Sequence, residues 1–134
     1  AIASDHLTAQ GPDAEKYRAM VKQLYNRVVI ENHLKWPFWE EWGRQDALKS
    51  LEWLNANNIE VRGHTVIWPG WNNLPKNLQD IKDDKAALRK RISDHFSDVM
   101  TATRGKVVEW DVINEPFANH DLMDILGREE MVEW

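Results

Sequence analysis

The sequence contains no cysteine, which excludes disulfide bonds and thiolate-bound metal sites and leaves the redox compartment undetermined. No apolar run approaches the roughly 20 residues of a membrane-spanning helix, so we expect no membrane partner. Residues 1–5 lack a basic segment followed by an apolar one, and no signal peptide is expected in this sequence. The net charge is −5 and the basic residues are scattered, which argues against a nucleic-acid partner.

Length and composition predict one globular domain. The 134 residues are enough for a hydrophobic core, and 43% of them are hydrophobic. No linker, repeat or low-complexity segment divides the chain, so we predict a single domain over residues 1–134. Eight tryptophans are a high number for this length. Indole rings stack on sugars and also pack well in cores, so composition favours a carbohydrate site and a tryptophan-rich core equally.

Strand-like and helix-like segments alternate along the chain. Residues 1–3 are interpreted as the end of a strand, and further strands are predicted at 27–31, 59–68 (interrupted by Gly63) and 107–113. Helices are predicted from Gly11, over about 40–55, from Asp83 or Asp84, and from near Arg128. The first helix is predicted to bury one face, which carries Tyr17, Met20, Val21 and Leu24.

Such alternation with short connections indicates parallel strands, in either an open doubly wound sheet or a (β/α)8 barrel, the TIM barrel. No glycine-rich phosphate loop follows an early strand, which disfavours the doubly wound sheet and an oxidoreductase function. Polar and aromatic residues collect after predicted strand ends, at 31–36, 68–71 and 114–120, where a barrel has its active site. A whole barrel typically has ~250 residues, so we predict roughly the first four strand–helix units of one.

The most informative segment is VVEWDVINEP, at residues 107–116. Its β-branched residues favour an extended backbone, and Pro116 ends the strand because it has no N–H to donate. Side-chain alternation predicts Glu109, Asp111 and Glu115 on one face. A carboxylate at the carboxyl end of a strand, beside an amide donor, is suited to the general acid of sugar hydrolysis. Taken alone, Asn-Glu-Pro is equally typical of a surface strand end.

Two further motifs precede this segment: ENHLKW at residues 31–36 and RGHTVIW at residues 62–68. In this order and at these separations, the three motifs closely resemble the first half of glycoside hydrolase family 10, over nearly the whole chain. The resemblance implies a retaining endo-1,4-β-xylanase that acts on xylan or xylo-oligosaccharides without a metal ion or cofactor. It also implies a secreted or periplasmic location.

By this resemblance, Glu115 is the general acid/base, which protonates the leaving glycosidic oxygen and then activates water. Asn114 resembles the donor to the 2-hydroxyl of the nearest glycone-side sugar, a contact that strengthens in the transition state. The competing interpretation of Asn114 is a side chain that only caps the end of the strand.

The resemblance also predicts residues that bind substrate. Glu31, Asn32 and Lys35 resemble the polar cluster that holds the next glycone-side sugar, whereas a surface ion pair between Glu31 and Lys35 is the alternative. His64 and Trp68 resemble the family's site histidine and the indole beside the cleaved sugar. The alternative for His64 is a hydrogen-bonded core residue.

Other notable side chains are expected to be structural. Trp36 is predicted to be a packing residue, His95 to have a structural role within a helix, and Asp111 to be buried and to orient its neighbours. The family usually has a second histidine directly after the Trp68 position, where this chain has Pro69. Trp71, just beyond, either stacks on a sugar or only fixes the loop, and the sequence favours neither interpretation.

The nucleophile is missing from these motifs. Retention requires a second carboxylate about 5–5.5 Å from the acid, and the resemblance implies that it lies on a seventh strand. Neither Asp111 nor Glu31 matches the nucleophile motif, so we expect the 134-residue chain alone to be inactive. Its partners would be the C-terminal half-barrel or a second copy that covers the exposed edges. The alternative function is a non-catalytic carbohydrate-binding or scaffold protein derived from the same barrel.

Overall fold

A parallel sheet of three strands forms the centre of the structure, a computed structural model that describes residues 1–134. The strands are β1 (Arg27–Val29), β2 (Glu60–Ile67) and β3 (Glu109–Ile113), which lie side by side in this order. Both neighbouring pairs are parallel. Parallel neighbours require a crossover between them, which the helical segments after β1 and β2 provide.

The first predicted strand is reduced to a single bridge. Ile2 pairs in parallel with Ile30, and its N–H donates to the Val29 carbonyl (2.7 Å) while its carbonyl accepts from the Glu31 N–H (2.9 Å). The sheet therefore consists of three strands and one bridge, and not of four full strands. Ile2 itself is buried, and its bridge to Ile30 covers the outer edge of the sheet only at the carboxyl end of β1.

Helical segments account for most of the remaining chain. Of the two predicted starts of the longest helix, Asp83 and Asp84, it is Asp84 that caps it: its carboxylate accepts hydrogen bonds from the N–H groups of Ala86 (3.1 Å) and Ala87 (3.0 Å). A π-helical turn forms the start of the helix predicted from about residue 40, and two 3-10 helices lie between β2 and the longest helix. The α-helices are α1 (Ser4–Thr8), α2 (Pro12–Leu24), α3 (Trp36–Phe38), α4 (Arg44–Ala56), α5 (Lys85–Thr103), α6 (Asp121–Leu126) and α7 (Arg128–Val132); the π-helical turn is Trp39–Gly43, and the 3-10 helices are Trp71–Asn73 and Lys76–Ile81.

Two details of the sequence prediction are wrong. Val21 of α2 is buried and Tyr17 packs against the same core, but Met20 and Leu24 are exposed. Met20 lies about 100° around the helix from Val21, and Leu24 is the last residue of α2. The second error concerns Gly63, which does not interrupt β2.

Gly63 is needed because a neighbouring ring lies directly over it. It pairs across the sheet with Trp110. A Cβ atom at this position would lie 2.3 Å from the Trp110 ring, so no larger residue fits without a shift. Glycine therefore permits a close approach between β2 and β3, a use that glycine in strands often has.

The core has two parts. One lies around β1, α2 and α4 and includes Val28, Leu51 and Val61, whereas the other lies near the carboxyl end of β2 and includes Ile67, Leu88 and Leu122. The second part supports the loops that follow the strands. No helix of the protein is both long and apolar enough to span a bilayer.

Candidate active site

Three loops leave the same edge of the sheet, because parallel strands end on the same side. β1 leads to residues 31–35, β2 to 68–71 and β3 to 114–120. The Asn114 N–H donates to the Ile67 carbonyl (2.9 Å), which ties the start of the third loop to the end of β2. The residues predicted for the site lie in these loops or, for His64, within β2: Glu31, Asn32, Lys35, His64, Trp68, Asn114 and Glu115.

Asn32, Lys35 and Trp68 line one cleft of about 710 Å³. Lys35 Nζ donates a hydrogen bond to Asn32 Oδ1 (2.9 Å) and lies 5.5 Å from the centroid of the Trp68 ring. Lys35 therefore contacts Asn32 and not Glu31, whose side chain is exposed at the end of β1. The alternative of a Glu31–Lys35 ion pair is wrong. A cation, an amide and an indole thus share one concave surface, which suits a ligand with many hydroxyl groups.

His64 is held by a carboxylate from the neighbouring strand. The strand register pairs it with Asp111, whose Oδ2 lies 2.9 Å from His64 Nδ1. The other oxygen, Oδ1, accepts hydrogen bonds from the Arg62 guanidinium. The His64 ring lies 6.3 Å from that of Trp68, between centroids, so this network adjoins the cleft.

Asp111 is ionised. Partial burial opposes the charge, but hydrogen bonds from Arg62 and His64 outweigh that effect and hold the pKa of Asp111 below its ordinary value. Since an ionised carboxylate only accepts hydrogen bonds, His64 Nδ1 carries the hydrogen of this contact. Asp111 orients its neighbours as predicted. It is half-buried and not buried, because β3 is the edge strand of the sheet.

Glu115 lies in the loop that follows β3, two residues after the last residue of the strand. β3 ends at Ile113, and the φ of 47° at Glu115 is left-handed, so the predicted alternation with Glu109 and Asp111 does not extend to this residue. The Glu115 carbonyl accepts from the Asn119 N–H (3.0 Å), which closes a tight turn. The Glu115 side chain is exposed, and Asn119 Nδ2 lies 3.5 Å from its Oε2.

The predicted packing role of Trp36 and the predicted structural role of His95 are confirmed. Both side chains are buried, and their rings stack with centroids 4.1 Å apart and planes 5° from parallel. His95 Nε2 lies 3.0 Å from the Val66 carbonyl. Because a carbonyl can only accept, Nε2 carries the hydrogen, and the buried Nδ1 has no partner. Burial lowers the pKa of His95 to about 4.

Trp71 fixes the loop and also lies in the wall of the cleft. Its N–H donates to the carboxylate of Asp121 (2.8 Å), which fixes the loop through the backbone. The Trp71 side chain is half-buried and lines the cleft together with Trp68. The side chain of His120 lies 2.8 Å from Asp124, at the start of α6.

The family model described as Glycosyl hydrolase family 10 matches residues 1–132. The chain belongs to glycosyl hydrolase family 10. Endo-1,4-beta-xylanase B of Thermotoga neapolitana is 35% identical over 108 residues, which cover 78% of this chain and 31% of the relative. Endo-1,4-beta-xylanase 3 of Hypocrea jecorina is 34% identical over 113 residues, which cover 77% of this chain and 30% of the relative. The chain thus spans about a third of the length of these relatives.

Solved xylanase structures resemble nearly the whole of this family 10 chain. Native xylanase 10B of Thermotoga maritima has a TM-score of 0.82 at 26% identity, and the match covers 98% of this chain and 42% of that one. Xylanase 10B of Thermotoga petrophila RKU-1, solved in complex with xylobiose, has a TM-score of 0.79 at 25% identity with the same coverage. The predicted family is confirmed, and the three parallel strands are consistent with part of a barrel.

Three side chains near the site escaped the sequence prediction. Arg62 contacts Asp111, and Asn73 contacts Asn119, which in turn lies beside Glu115. Arg62 precedes His64 by two residues and therefore lies on the same face of β2. This spacing was the only feature of the sequence that placed Arg62 near the site. The Asn73–Asn119 contact joins residues 46 positions apart and has no local signal.

Proposed function

We propose that this chain is the amino-terminal part of a retaining endo-1,4-β-xylanase, with roughly the first four units of a (β/α)8 barrel in residues 1–134. The Ile2 bridge would be the end of the first strand. One observation carries the proposal: the candidate residues lie at the same end of one parallel sheet. The cleft of Asn32, Lys35 and Trp68 and the Asn114–Glu115 pair all follow the carboxyl ends of its strands. Because the chain spans about a third of its relatives, the activity is proposed for the full-length protein.

Glu115 acts first as the general acid. Its carboxyl proton passes to the glycosidic oxygen as the bond from that oxygen to the anomeric carbon breaks, so that the leaving sugar departs as an alcohol. The nucleophile's carboxylate bonds to the anomeric carbon. Glu115, now a carboxylate, then removes a proton from the water that releases the second product. The exposed position of Glu115 at the sheet edge suits a group that must meet a polymer.

The cleft residues bind the glycone side of the substrate. Lys35 and Asn32, joined by a hydrogen bond of 2.9 Å, offer donors and an acceptor to sugar hydroxyls, and Trp68 offers an indole face. Glu31 accepts from the hydroxyls of the same sugar. At the cleaved sugar, Asn114 is proposed to donate to the 2-hydroxyl, and His64 is proposed to be a further contact.

The nucleophile is proposed to come from a later part of the full-length protein. Asp111 is poorly suited to the role because Arg62 and His64 occupy its two oxygens. The proposed reaction uses two carboxylates and water, so neither a metal ion nor a cofactor enters it. The xylobiose complex of the Thermotoga petrophila enzyme supports xylan or xylo-oligosaccharides as the substrate. A polymeric substrate also favours a secreted or periplasmic location.

The test replaces Glu115 by alanine in the full-length protein. Turnover of xylan should fall roughly 10²–10⁴-fold, the usual contribution of a general acid. Aryl xylobiosides with good leaving groups need little protonation, so their glycosylation step should be largely retained. Glu52→Ala, on an exposed face of α4, is the matched control and should behave as wild type. Equal losses on both substrates would mean that Glu115 is structural or is the nucleophile.

The rival function is a non-catalytic carbohydrate-binding or scaffold protein that uses the same cleft. It predicts that the wild-type full-length protein binds xylo-oligosaccharides and releases no reducing sugar from xylan. Calorimetric binding and a reducing-sugar assay on one preparation separate the two functions.

A further inference from the structure

The loop after β2 is attached to the loop that carries Glu115. The Leu122 N–H donates to the Pro69 carbonyl (3.1 Å), and the Trp71 N–H donates to the carboxylate of Asp121 (2.8 Å). The side chain of Asn73 donates through Nδ2 to Oδ1 of Asn119 (3.0 Å). Residues 69–73 therefore contact residues 119–122 at three separate points.

Gly70 shows how tight this attachment is. A Cβ atom there would lie 2.6 Å from Asn119 Oδ1 and 3.1 Å from Asn119 Cβ. Any larger residue would therefore push the Asn119 side chain away. Two of the three contacts use backbone groups of Pro69 and Trp71, so only the Asn73–Asn119 contact depends on side chains at both of its ends.

The contact from Asn73 sets the orientation of the Asn119 amide. An amide nitrogen can only donate, so the Asn119 atom that faces Asn73 is the oxygen. Asn119 Nδ2 then points toward Glu115, 3.5 Å from the carboxylate Oε2 and 3.4 Å from the main-chain carbonyl. These distances are long, but hydrogen bonds in unliganded active sites often shorten only when substrate binds.

We propose that Asn119 is a positioning residue for Glu115 and that Asn73, in the wall of the substrate cleft, orients it. The inference rests on the proposed function of Glu115. As the proton leaves Glu115 for the glycosidic oxygen, the carboxylate gains negative charge, and the Asn119 N–H stabilises that charge and restricts rotation of the side chain. Asn73 also lines the cleft, so a sugar bound there would contact the residue that orients Asn119 and, through Asn119, the Glu115 side chain.

The decisive variants are at Asn73, which does not touch Glu115. Asn73→Ala removes the orienting donor and leaves the Asn119 amide free to rotate. Asn73→Asp supplies an acceptor instead, so the amide should turn and present its oxygen to Glu115. We expect kcat on xylan to fall severalfold in Asn73→Ala and roughly tenfold or more in Asn73→Asp, the scale of one hydrogen bond to a charged group. A loss in Asn73→Asp no larger than in Asn73→Ala would overturn the proposal.

Variants at Asn119 test the same contact directly. Asn119→Ala in the full-length protein should lower kcat on xylan roughly tenfold, with little change in KM and a smaller loss on aryl xylobiosides with good leaving groups. Asn77→Ala, an exposed residue of the neighbouring 3-10 helix, is the matched control. If Asn119 only stabilised the turn, both substrates would lose activity equally and the melting temperature would fall; that outcome contradicts the proposal.

A structural readout separates this inference from the proposed function. A crystal structure of full-length Asn73→Asp reports the Glu115 side chain whether or not xylan is the substrate. We expect Glu115 to adopt a different rotamer, turned away from Asn119. An unchanged rotamer would refute the positioning role, whereas a wild-type protein that fails to cleave xylan would refute the proposed function alone.

Discussion

His64 Nδ1 lies 2.9 Å from Oδ2 of Asp111, its partner in the register of β2 and β3. The other oxygen of the same carboxylate accepts from Arg62, two residues before His64 on the same face of β2. One carboxylate therefore fixes two side chains of the adjacent strand. Since Asp111 is ionised and only accepts, it also fixes the tautomer of His64 when that ring is neutral.

The first prediction follows from this arrangement. Asp111→Asn keeps the shape of the side chain but places an amide donor opposite Arg62 or His64. Either the Arg62 contact is then lost, or His64 must accept at Nδ1 and carry its hydrogen on Nε2. In the full-length protein we expect kcat/KM on xylan to fall roughly tenfold, the scale of one hydrogen bond to a charged group. The matched control is Glu109→Gln, which changes an exposed carboxylate of the same strand that pairs with Arg27. Unchanged kinetics in Asp111→Asn would show that neither the Arg62 contact nor the tautomer of His64 matters for turnover.

The second prediction concerns stability at acid pH. Burial lowers the pKa of His95 from 6.5 to about 4, so the unfolded chain takes up a proton at this position more readily than the folded one. The neutral ring therefore stabilises the fold above pH about 6.5, and this contribution is lost as the pH falls through the folded pKa near 4. The full loss is on the order of 3 kcal/mol.

Denaturant unfolding of wild type and His95→Gln, measured from pH 7 to pH 4, checks this prediction. Glutamine does not titrate and can still donate to the Val66 carbonyl, so other groups contribute equally to both curves. We expect the free energy of unfolding of wild type to fall more steeply than that of His95→Gln. If the two proteins showed the same dependence of unfolding free energy on pH, His95 would take up its proton equally readily in the folded and unfolded chain, and the prediction would be wrong.

The sequence predicted those elements whose signals are local. The Asp84 cap and the spacing of Leu88, Ile92 and Val99 lie within one helix, so α5 could be recognised without knowledge of its neighbours. The convergence of loops after the strands was also predictable, because it needs only that the strands are parallel. The exposure of Met20 was not, since amphipathic spacing does not say how wide a face the neighbouring elements cover.

Contacts between distant segments were beyond sequence reasoning. The role of Gly63 depends on Trp110 in the next strand. The strand register pairs these two residues, and that register depends on how the whole segment between β2 and β3 packs. The same is true of Arg62 and Asp111. Residues 1–3 were interpreted as a strand end, but apolar pattern cannot distinguish a strand from the single bridge that Ile2 forms.

The third prediction tests the proposed sugar cleft. Lys35→Met keeps an apolar chain near the Trp68 ring and removes the ammonium that donates to Asn32. In the full-length protein we expect the KM for short xylo-oligosaccharides to rise roughly tenfold, with a smaller change in kcat, because the contact is made in both ground and transition states. Lys16→Met, on an exposed face of α2, is the control. A fall in kcat at constant KM would mean that Lys35 acts on the reaction and not on binding.

The fourth prediction concerns the isolated 134-residue chain. β3 is paired only with β2, and beside it lies a largely apolar pocket of about 370 Å³ lined by Ile113, Phe117 and Val132 among others. Phe117 is 90% and Val132 is 74% exposed, so exposed apolar surface lies at the carboxyl end of the unpaired strand edge. On the other side of the sheet, Ile2 covers only the end of β1. An exposed strand edge next to apolar surface favours association.

The isolated chain should therefore dimerise or aggregate, or pair with a fragment that carries the remaining strands, and should not hydrolyse xylan alone because the proposed nucleophile is outside it. Light scattering of the purified chain measures the association, and the double variant Phe117→Ser/Val132→Ser should reduce it if this surface is responsible. Mixing with the remaining fragment should restore cleavage when both keep their strand register. A monomeric chain that unfolds cooperatively and cleaves xylan would contradict the prediction. It would also point to Glu31 as the partner of Glu115, since Arg62 and His64 occupy the carboxylate of Asp111.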